Sequence, residues 1–160
     1  MENLKQSDNQ QSKDNQLGQT QQQTVTVNFD DREYQVPKGI TILEAARLQH
    51  IEIPSLCYLK DINEIGACRV CVVEVEGMRT LQPSCVYPVR EGLRVKTNSV
   101  RVRRARKTVV SLLLSNHHRE CLTCIRNQNC ELQNVANALG IREIPYTGEM
   151  LDYGFQDENP

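Results

Sequence analysis

Polar and apolar residues alternate over Thr24–Phe29, with the two-residue period of a strand that has one buried face. A turn at positions 30–31 follows, and apolar residues recur over 33–36, so this region is predicted to form a β-hairpin. The next segment begins with Thr41 and carries Glu44 three residues later, which is the capping-box pattern of a helix N-terminus. The pattern therefore predicts a hairpin followed by a short helix.

Further strands and helices are predicted downstream of this helix. The strands span 72–76, 80–86 and 92–97, where short apolar runs are separated by turn residues. A helix follows Ser99 and extends to position 116; its predicted buried face is formed by Val102, Ala105, Val109, Leu112 and Leu113. A second helix covers 131–139 and ends at Gly140; its predicted inward residues are Leu132, Val135, Ala136 and Leu139. These elements together predict an α+β protein.

The composition indicates a small protein with a thin apolar core. The chain has 160 residues, a net charge of −1, no tryptophan and two phenylalanines. Residues 1–23 are rich in glutamine and are predicted to be a disordered tail, and 149–160 to be a C-terminal tail. With no apolar stretch of about 20 residues, no membrane insertion is predicted. The N-terminus has no apolar signal segment, and this predicts a cytoplasmic location.

All seven cysteines fall into two groups with the spacing of metal ligands. The first ligand set comprises Cys57, Cys68, Cys71 and Cys85. The second ligand set comprises Cys121, Cys124, Cys130 and one of two adjacent histidines, His117 or His118. Each set contains a Cys-x2-Cys pair, a short loop that brings two thiolates to one centre. In a reducing cytoplasm such thiols are better explained as metal ligands than as disulfide partners.

Iron–sulfur clusters and zinc are the two candidate occupants of these sets. A zinc ribbon usually carries two Cys-x2-Cys knuckles, whereas the first ligand set has one, which favours an iron–sulfur cluster. One imidazole and three thiolates can hold either a four-iron cluster or a zinc ion. The chemistry of the second set alone therefore leaves both occupants open.

The spacing of the first ligand set resembles that of a known group of redox proteins. Its Cys-x10-Cys-x2-Cys-x13-Cys pattern departs from plant-type ferredoxins. It is similar to the N-terminal region of iron-only hydrogenase catalytic subunits and of the large iron–sulfur subunit of respiratory complex I. The runs 111–117 and 129–133, on either side of the second set, resemble the same families, and the likeness extends over 24–148.

The resemblance implies two cofactors in two domains. A ferredoxin-like β-grasp domain over 24–98 would hold one [2Fe–2S] cluster with the first ligand set. A small helical domain over 99–148 would hold one [4Fe–4S] cluster with the second set. The family pattern selects His117 as the fourth ligand of that cluster, beside Cys121, Cys124 and Cys130. His118 and His50 are then expected to be surface residues.

The same resemblance implies an electron relay with no substrate site of its own. In those families the chain continues into further clusters and a catalytic domain, whereas this sequence stops at Pro160, which predicts a separate subunit. The implied partners are a flavoprotein of the NADH-dehydrogenase type and further redox subunits, assembled as a hetero-oligomer. The complex could be an electron-bifurcating hydrogenase, a ferredoxin-linked transhydrogenase or a formate dehydrogenase. The alternatives are a free ferredoxin-like carrier, a cluster-based redox sensor and a structural zinc protein.

Two other functions are disfavoured. The sequence has no G-x-G-x-x-G motif followed by an acidic residue, so NAD or flavin binding by this chain is not predicted. A basic run lies on the first long helix, but the near-neutral net charge argues against nucleic acid, and we expect a solvated or partner-facing surface. Its members are Arg101, Arg103, Arg104, Arg106 and Lys107.

Overall fold

The computed structural model describes residues 23–118 and 120–148. Within these ranges it contains five strands and three helices, which confirms the α+β class. In chain order they are β1 (Thr24–Phe29), β2 (Arg32–Pro37), α1 (Ile42–Leu48), β3 (Val72–Val75), β4 (Gln82–Pro83), β5 (Leu93–Lys96), α2 (Val100–Ser115) and α3 (Glu131–Ala138). The tails predicted over 1–23 and 149–160 lie outside the described residues, apart from position 23.

The strands form one mixed sheet in the order β2-β1-β5-β3-β4. The predicted hairpin is confirmed, since β1 pairs antiparallel with β2, and its alternation buries Val25, Val27 and Phe29. β1 also pairs parallel with β5, and β3 runs antiparallel to both β5 and β4. The central strands are therefore brought together from distant parts of the chain.

The strand predicted over 80–86 is much shorter than expected. Only Gln82–Pro83 is a strand, and the chain then turns, with the backbone N–H groups of Val86 and Tyr87 both donating to the Pro83 carbonyl. Cys85 therefore lies in a turn at the end of the sheet, where the chain can direct its side chain independently of the strand alternation.

The predicted capping box is present at the start of α1. The Thr41 hydroxyl accepts a hydrogen bond from the Glu44 N–H at 3.2 Å, and a Glu44 carboxylate oxygen accepts one from the Thr41 N–H at 2.9 Å. His50 follows the helix with a positive φ of 57° and is exposed, as expected for a surface residue. The helix thus begins where its local sequence predicts.

The buried face of α2 differs from the prediction. Ser99 caps the helix as expected, and Val102 is fully buried. Leu112 and Leu113, however, are 47% and 38% exposed, and the prediction for them is wrong. Helical periodicity defines an apolar stripe, but β3 and α3 decide which side of that stripe is covered. The stripe that is buried runs instead through Val102, Arg106, Val110, Ser111 and Ser115.

An apolar cluster joins the two predicted domains. Its buried members are Val70, Val110 and Ala136, which come from the Cys-x2-Cys loop, from α2 and from α3. The inward face predicted for α3 is confirmed, because Leu132, Val135 and Leu139 pack against the same cluster. The loop that carries two cysteines of the first ligand set is thus held by the helices of the second predicted domain.

The helices within residues 23–118 and 120–148 include no candidate membrane span, since none combines the necessary length and hydropathy.

Candidate cofactor sites

The structure brings the four cysteines of the first ligand set together. Cys57 lies in the chain after α1, Cys68 and Cys71 lie just before β3, and Cys85 lies in the turn after β4. The Cys68 N–H donates to the Cys57 sulfur at 3.5 Å. Burial raises the pKa of Cys85 to about 12, and the nearby thiols of Cys71, Cys57 and Cys68 add to that rise. Three separate segments therefore converge on one group of sulfurs.

Backbone N–H groups surround this group of sulfurs. Burial opposes ionisation of Cys68, but hydrogen bonds from the backbone of Val70 and Leu56 hold its pKa below the usual value. Burial raises the pKa of Cys57, and the N–H of Cys68 opposes that rise. N–H groups directed at cysteine sulfurs are a recurrent feature of iron–sulfur sites, where they stabilise the negative charge and tune the potential.

Gly66 lines the same site and cannot readily be replaced by a larger residue. It is buried and has a φ of +65°, which favours glycine. A Cβ at this position would lie 3.3 Å from a Val86 methyl carbon and 3.6 Å from the Cys85 sulfur. The chain must therefore pass close to Cys85 here, and this close passage suits a site that encloses an inorganic group.

A buried serine fixes the relative positions of Cys71 and Cys85. The Ser84 hydroxyl donates to the Cys71 carbonyl at 2.7 Å, and the Ser84 N–H donates to the same oxygen at 3.2 Å. The Ser84 carbonyl in turn accepts from the Leu43 N–H of α1 at 3.0 Å. The two cysteines are nearly completely buried. Hydrogen bonds thus tie the site to both the sheet and α1.

The sulfurs are not arranged around a single ion. Among the described residues, no three side chains of His, Cys, Asp or Glu are grouped closely enough to hold one metal ion.

The second ligand set lies in the segment between α2 and α3. His117, Cys121 and Cys124 are exposed, and Cys130 is half-buried at the N-terminus of α3. Short turns organise the segment, with the Cys124 N–H bonded to the Cys121 carbonyl at 3.3 Å. No hydrogen bond of the described chain joins two of these four side chains. The fold thus places the four residues in one segment between the two helices.

The His117 ring has a defined orientation. Its Nδ1 lies 2.6 Å from the carbonyl oxygen of His118. A carbonyl can only accept, so Nδ1 is the donor in this contact, and in the neutral ring Nε2 then carries the lone pair. This is the arrangement found at metal-bound histidines, where one ring nitrogen is fixed by a hydrogen bond while the other is available to the metal. His118 is exposed, as expected.

Comparison with known proteins supports two iron–sulfur regions. Residues 22–100 match the family described as a 2Fe-2S iron-sulfur cluster binding domain. Residues 106–145 match the NADH-ubiquinone oxidoreductase-G iron-sulfur binding region. The chain is therefore a two-cluster iron–sulfur protein, with one [2Fe–2S] and one [4Fe–4S] domain.

Several curated relatives are similar to this chain over most of its length. NADP-reducing hydrogenase subunit HndD of Solidesulfovibrio fructosivorans is 51% identical over 135 residues, which cover 81% of this chain and 23% of the relative. NADPH-Fe(3+) oxidoreductase subunit alpha of Geobacter sulfurreducens is 40% identical over 80% of this chain and 15% of its own length. The mitochondrial NADH-ubiquinone oxidoreductase 78 kDa subunit of Candida albicans is 38% identical over 72% of this chain and 16% of its own length.

A solved structure shows the same fold. The crystal structure of an NAD+-reducing [NiFe]-hydrogenase contains a chain that matches with a TM-score of 0.73 and 32% identity. The match covers 79% of this chain and 53% of that one. The predicted resemblance to the iron–sulfur region of hydrogenase and complex I subunits is confirmed. The chain spans less than a quarter of the curated relatives described above.

Proposed function

We propose that this chain relays single electrons as an iron–sulfur subunit of a multisubunit NAD(P)H- and ferredoxin-linked oxidoreductase. The observation that carries the proposal is the convergence of four cysteines from three chain segments, inside a region that matches a [2Fe–2S] domain. A chain that carries two iron–sulfur sites is suited to electron transfer.

The first ligand set is proposed to hold the [2Fe–2S] cluster in a β-grasp domain over 24–98. The order β2-β1-β5-β3-β4, with α1 packed on the sheet, supports this fold. When bound, such a cluster accepts and gives up one electron at a time. The chain's own contribution is to bury Cys71 and Cys85 and to direct backbone N–H groups at the sulfurs, which limits the access of water and stabilises the thiolates.

The second ligand set is proposed to hold the [4Fe–4S] cluster in a domain over 99–148. His117 is assigned as the fourth ligand because its Nε2 is left free by the hydrogen bond from Nδ1. The Cys124 sulfur accepts a hydrogen bond from the Arg126 N–H at 3.4 Å, the kind of contact that tunes a cluster. A neutral imidazole in place of a thiolate reduces the negative charge of the centre.

The proposed partners are a flavoprotein of the NADH-dehydrogenase type and further redox subunits. Large apolar side chains are exposed beside the second ligand set, and exposed apolar surface of this kind marks protein contacts. Leu122 and Ile125, next to Cys121 and Cys124, are 93% and 98% exposed. Relatives named as NADP-reducing and NAD+-reducing hydrogenases support a multisubunit oxidoreductase complex. An electron-bifurcating or transhydrogenase type of complex is part of the proposal. A cytoplasmic location is part of the same proposal, because thiol ligands persist in a reducing compartment.

Reciprocal variants test the ligand assignment. Cys71→Ala should abolish the electron paramagnetic resonance signal of the [2Fe–2S] cluster and retain that of the [4Fe–4S] cluster. Cys124→Ala should have the opposite effect, and each variant serves as the control for the other. Samples would be purified and measured without air. A full [2Fe–2S] signal in Cys71→Ala would remove Cys71 from the ligand set.

Purification distinguishes a fixed subunit from a free carrier. The tagged chain should copurify from its own cells with a flavin-containing subunit in a constant ratio. The flavin would be identified by its absorption and fluorescence after release, and the washed resin without tagged chain is the control. Recovery of a monomer that carries both clusters and no flavoprotein would favour the free carrier.

A further inference from the structure

Arg106 is a buried cation that reaches from α2 to the first ligand set. Arg106 is 4% exposed, which contradicts the prediction that it is a solvated or partner-facing residue. Its guanidinium Nη2 donates a hydrogen bond to the Val72 carbonyl at 2.8 Å. Val72 directly follows Cys71 in the chain. Arg101, Arg103, Arg104 and Lys107 of the same basic run are exposed, as predicted.

The register of the sheet explains why the Arg106 guanidinium can donate a hydrogen bond to the Val72 carbonyl. β3 pairs antiparallel with β5, with Glu74 opposite Lys96. Continued by two residues, that register would place Asn98 opposite Val72, but β5 ends at Lys96. The edge of β3 is therefore open beside Val72, and Arg106 supplies a donor where a strand would have done so.

The charge of Arg106 is incompletely balanced by the protein. Among the described residues, no carboxylate lies within salt-bridge distance of it, and its Nε has no hydrogen-bond partner. Burial lowers the pKa of Arg106 to about 10, and negative charge at Cys71 and Asp30 opposes that fall. The side chain is still protonated at neutral pH. A buried charge is costly unless opposite charge lies nearby, and here Asp30 and the Cys71 thiolate of the proposed ligand set supply it.

We infer that Arg106 raises the reduction potential of the [2Fe–2S] cluster by placing a fixed positive charge beside Cys71. Four thiolates already make the proposed centre negative, and reduction adds further negative charge. A nearby cation stabilises the reduced form more than the oxidised form. Arg106 thus makes the first centre a better electron acceptor. The inference rests on the proposed ligand set for that cluster.

A redox titration of the complete chain with both clusters tests this role. Arg106→Met removes the charge and keeps an apolar side chain of similar length. It should weaken electron binding by the [2Fe–2S] cluster about tenfold, which is about 59 mV for one electron. Arg104→Met, on the exposed side of the same helix, should leave the potential unchanged. The potential of the [4Fe–4S] cluster in the same sample is an internal control.

Two further variants separate charge from hydrogen bonding. Arg106→Lys keeps the charge, so the affinity of the [2Fe–2S] cluster for an electron should stay within about threefold of the wild-type value. Arg106→Gln keeps a hydrogen-bond donor without charge and should behave like Arg106→Met. Equal potentials in the Lys and Gln variants would overturn the inference, even if the Met variant does not fold. Wild-type protein without a [2Fe–2S] signal would instead contradict the proposed function. A normal signal whose potential none of these variants moves contradicts only the role of Arg106.

Discussion

Val110 offers a quantitative test of the apolar cluster that joins the two predicted domains. Its side chain is fully buried against Val70 and Ala136. Val110→Ala removes two methyl groups, worth about 1.6 kcal/mol at about 0.8 kcal/mol each. The cavity left in a well-packed site adds to this, so we expect a total loss of about 2–3 kcal/mol in the free energy of unfolding.

Val100→Ala is the matched control for this substitution. Val100 begins the same helix but is 55% exposed. An exposed replacement of this kind should change the stability by less than about 0.5 kcal/mol. Both variants share the change from valine to alanine in α2, so their difference isolates burial.

The assay is thermal unfolding of the complete chain without air and at a fixed heating rate. Helical circular dichroism and the visible absorption of the clusters would be followed together. Val110→Ala should lower the apparent midpoint by roughly 5–10 °C. Val110 of α2 packs against Val70, which directly precedes Cys71 of the first ligand set, and α2 also borders the second set. Both clusters should therefore be lost in the same transition. Equal midpoints for the two variants would refute the packing argument, and two separate transitions would show that the domains unfold independently.

Three further predictions concern the cofactors. Iron analysis should find six iron atoms per chain, two in one cluster and four in the other, without stoichiometric zinc; two zinc ions with little sulfide would contradict both cluster assignments. His117→Cys should keep a four-iron cluster at a lower potential, because a thiolate adds negative charge. His118→Ala should leave that potential unchanged in the same titration, and the reverse pattern would mean that His118 is the ligand. Gly66→Ala should cost about 1–2 kcal/mol for its positive φ and also reduce [2Fe–2S] occupancy, through the contact with Val86. Gly77→Ala, with a φ of +81° and open space around it, should cost as much stability but keep full occupancy; equal occupancy in both glycine variants would rule out the steric effect.

The elements that depend on neighbouring residues could be predicted from the amino-acid sequence. The β1–β2 hairpin follows from alternation and a two-residue turn, and α1 begins at its capping box because Thr41 and Glu44 are three residues apart. The grouping of the cysteines into two sets also depends on spacing alone. The two matched iron–sulfur regions confirm the cofactors, while the individual ligands remain a prediction.

Features that depend on contacts between distant segments could not be predicted in this way. Sequence periodicity placed Leu112 and Leu113 on the buried face of α2, but β3 and α3 cover the neighbouring stripe instead. Arg106 reads as a solvent-facing residue in the sequence. It is buried because β5 ends before it reaches the position opposite Val72 in the sheet. The Val72 carbonyl is therefore left accessible to the guanidinium. The end of one strand relative to another is set by sheet register, which local sequence patterns do not contain.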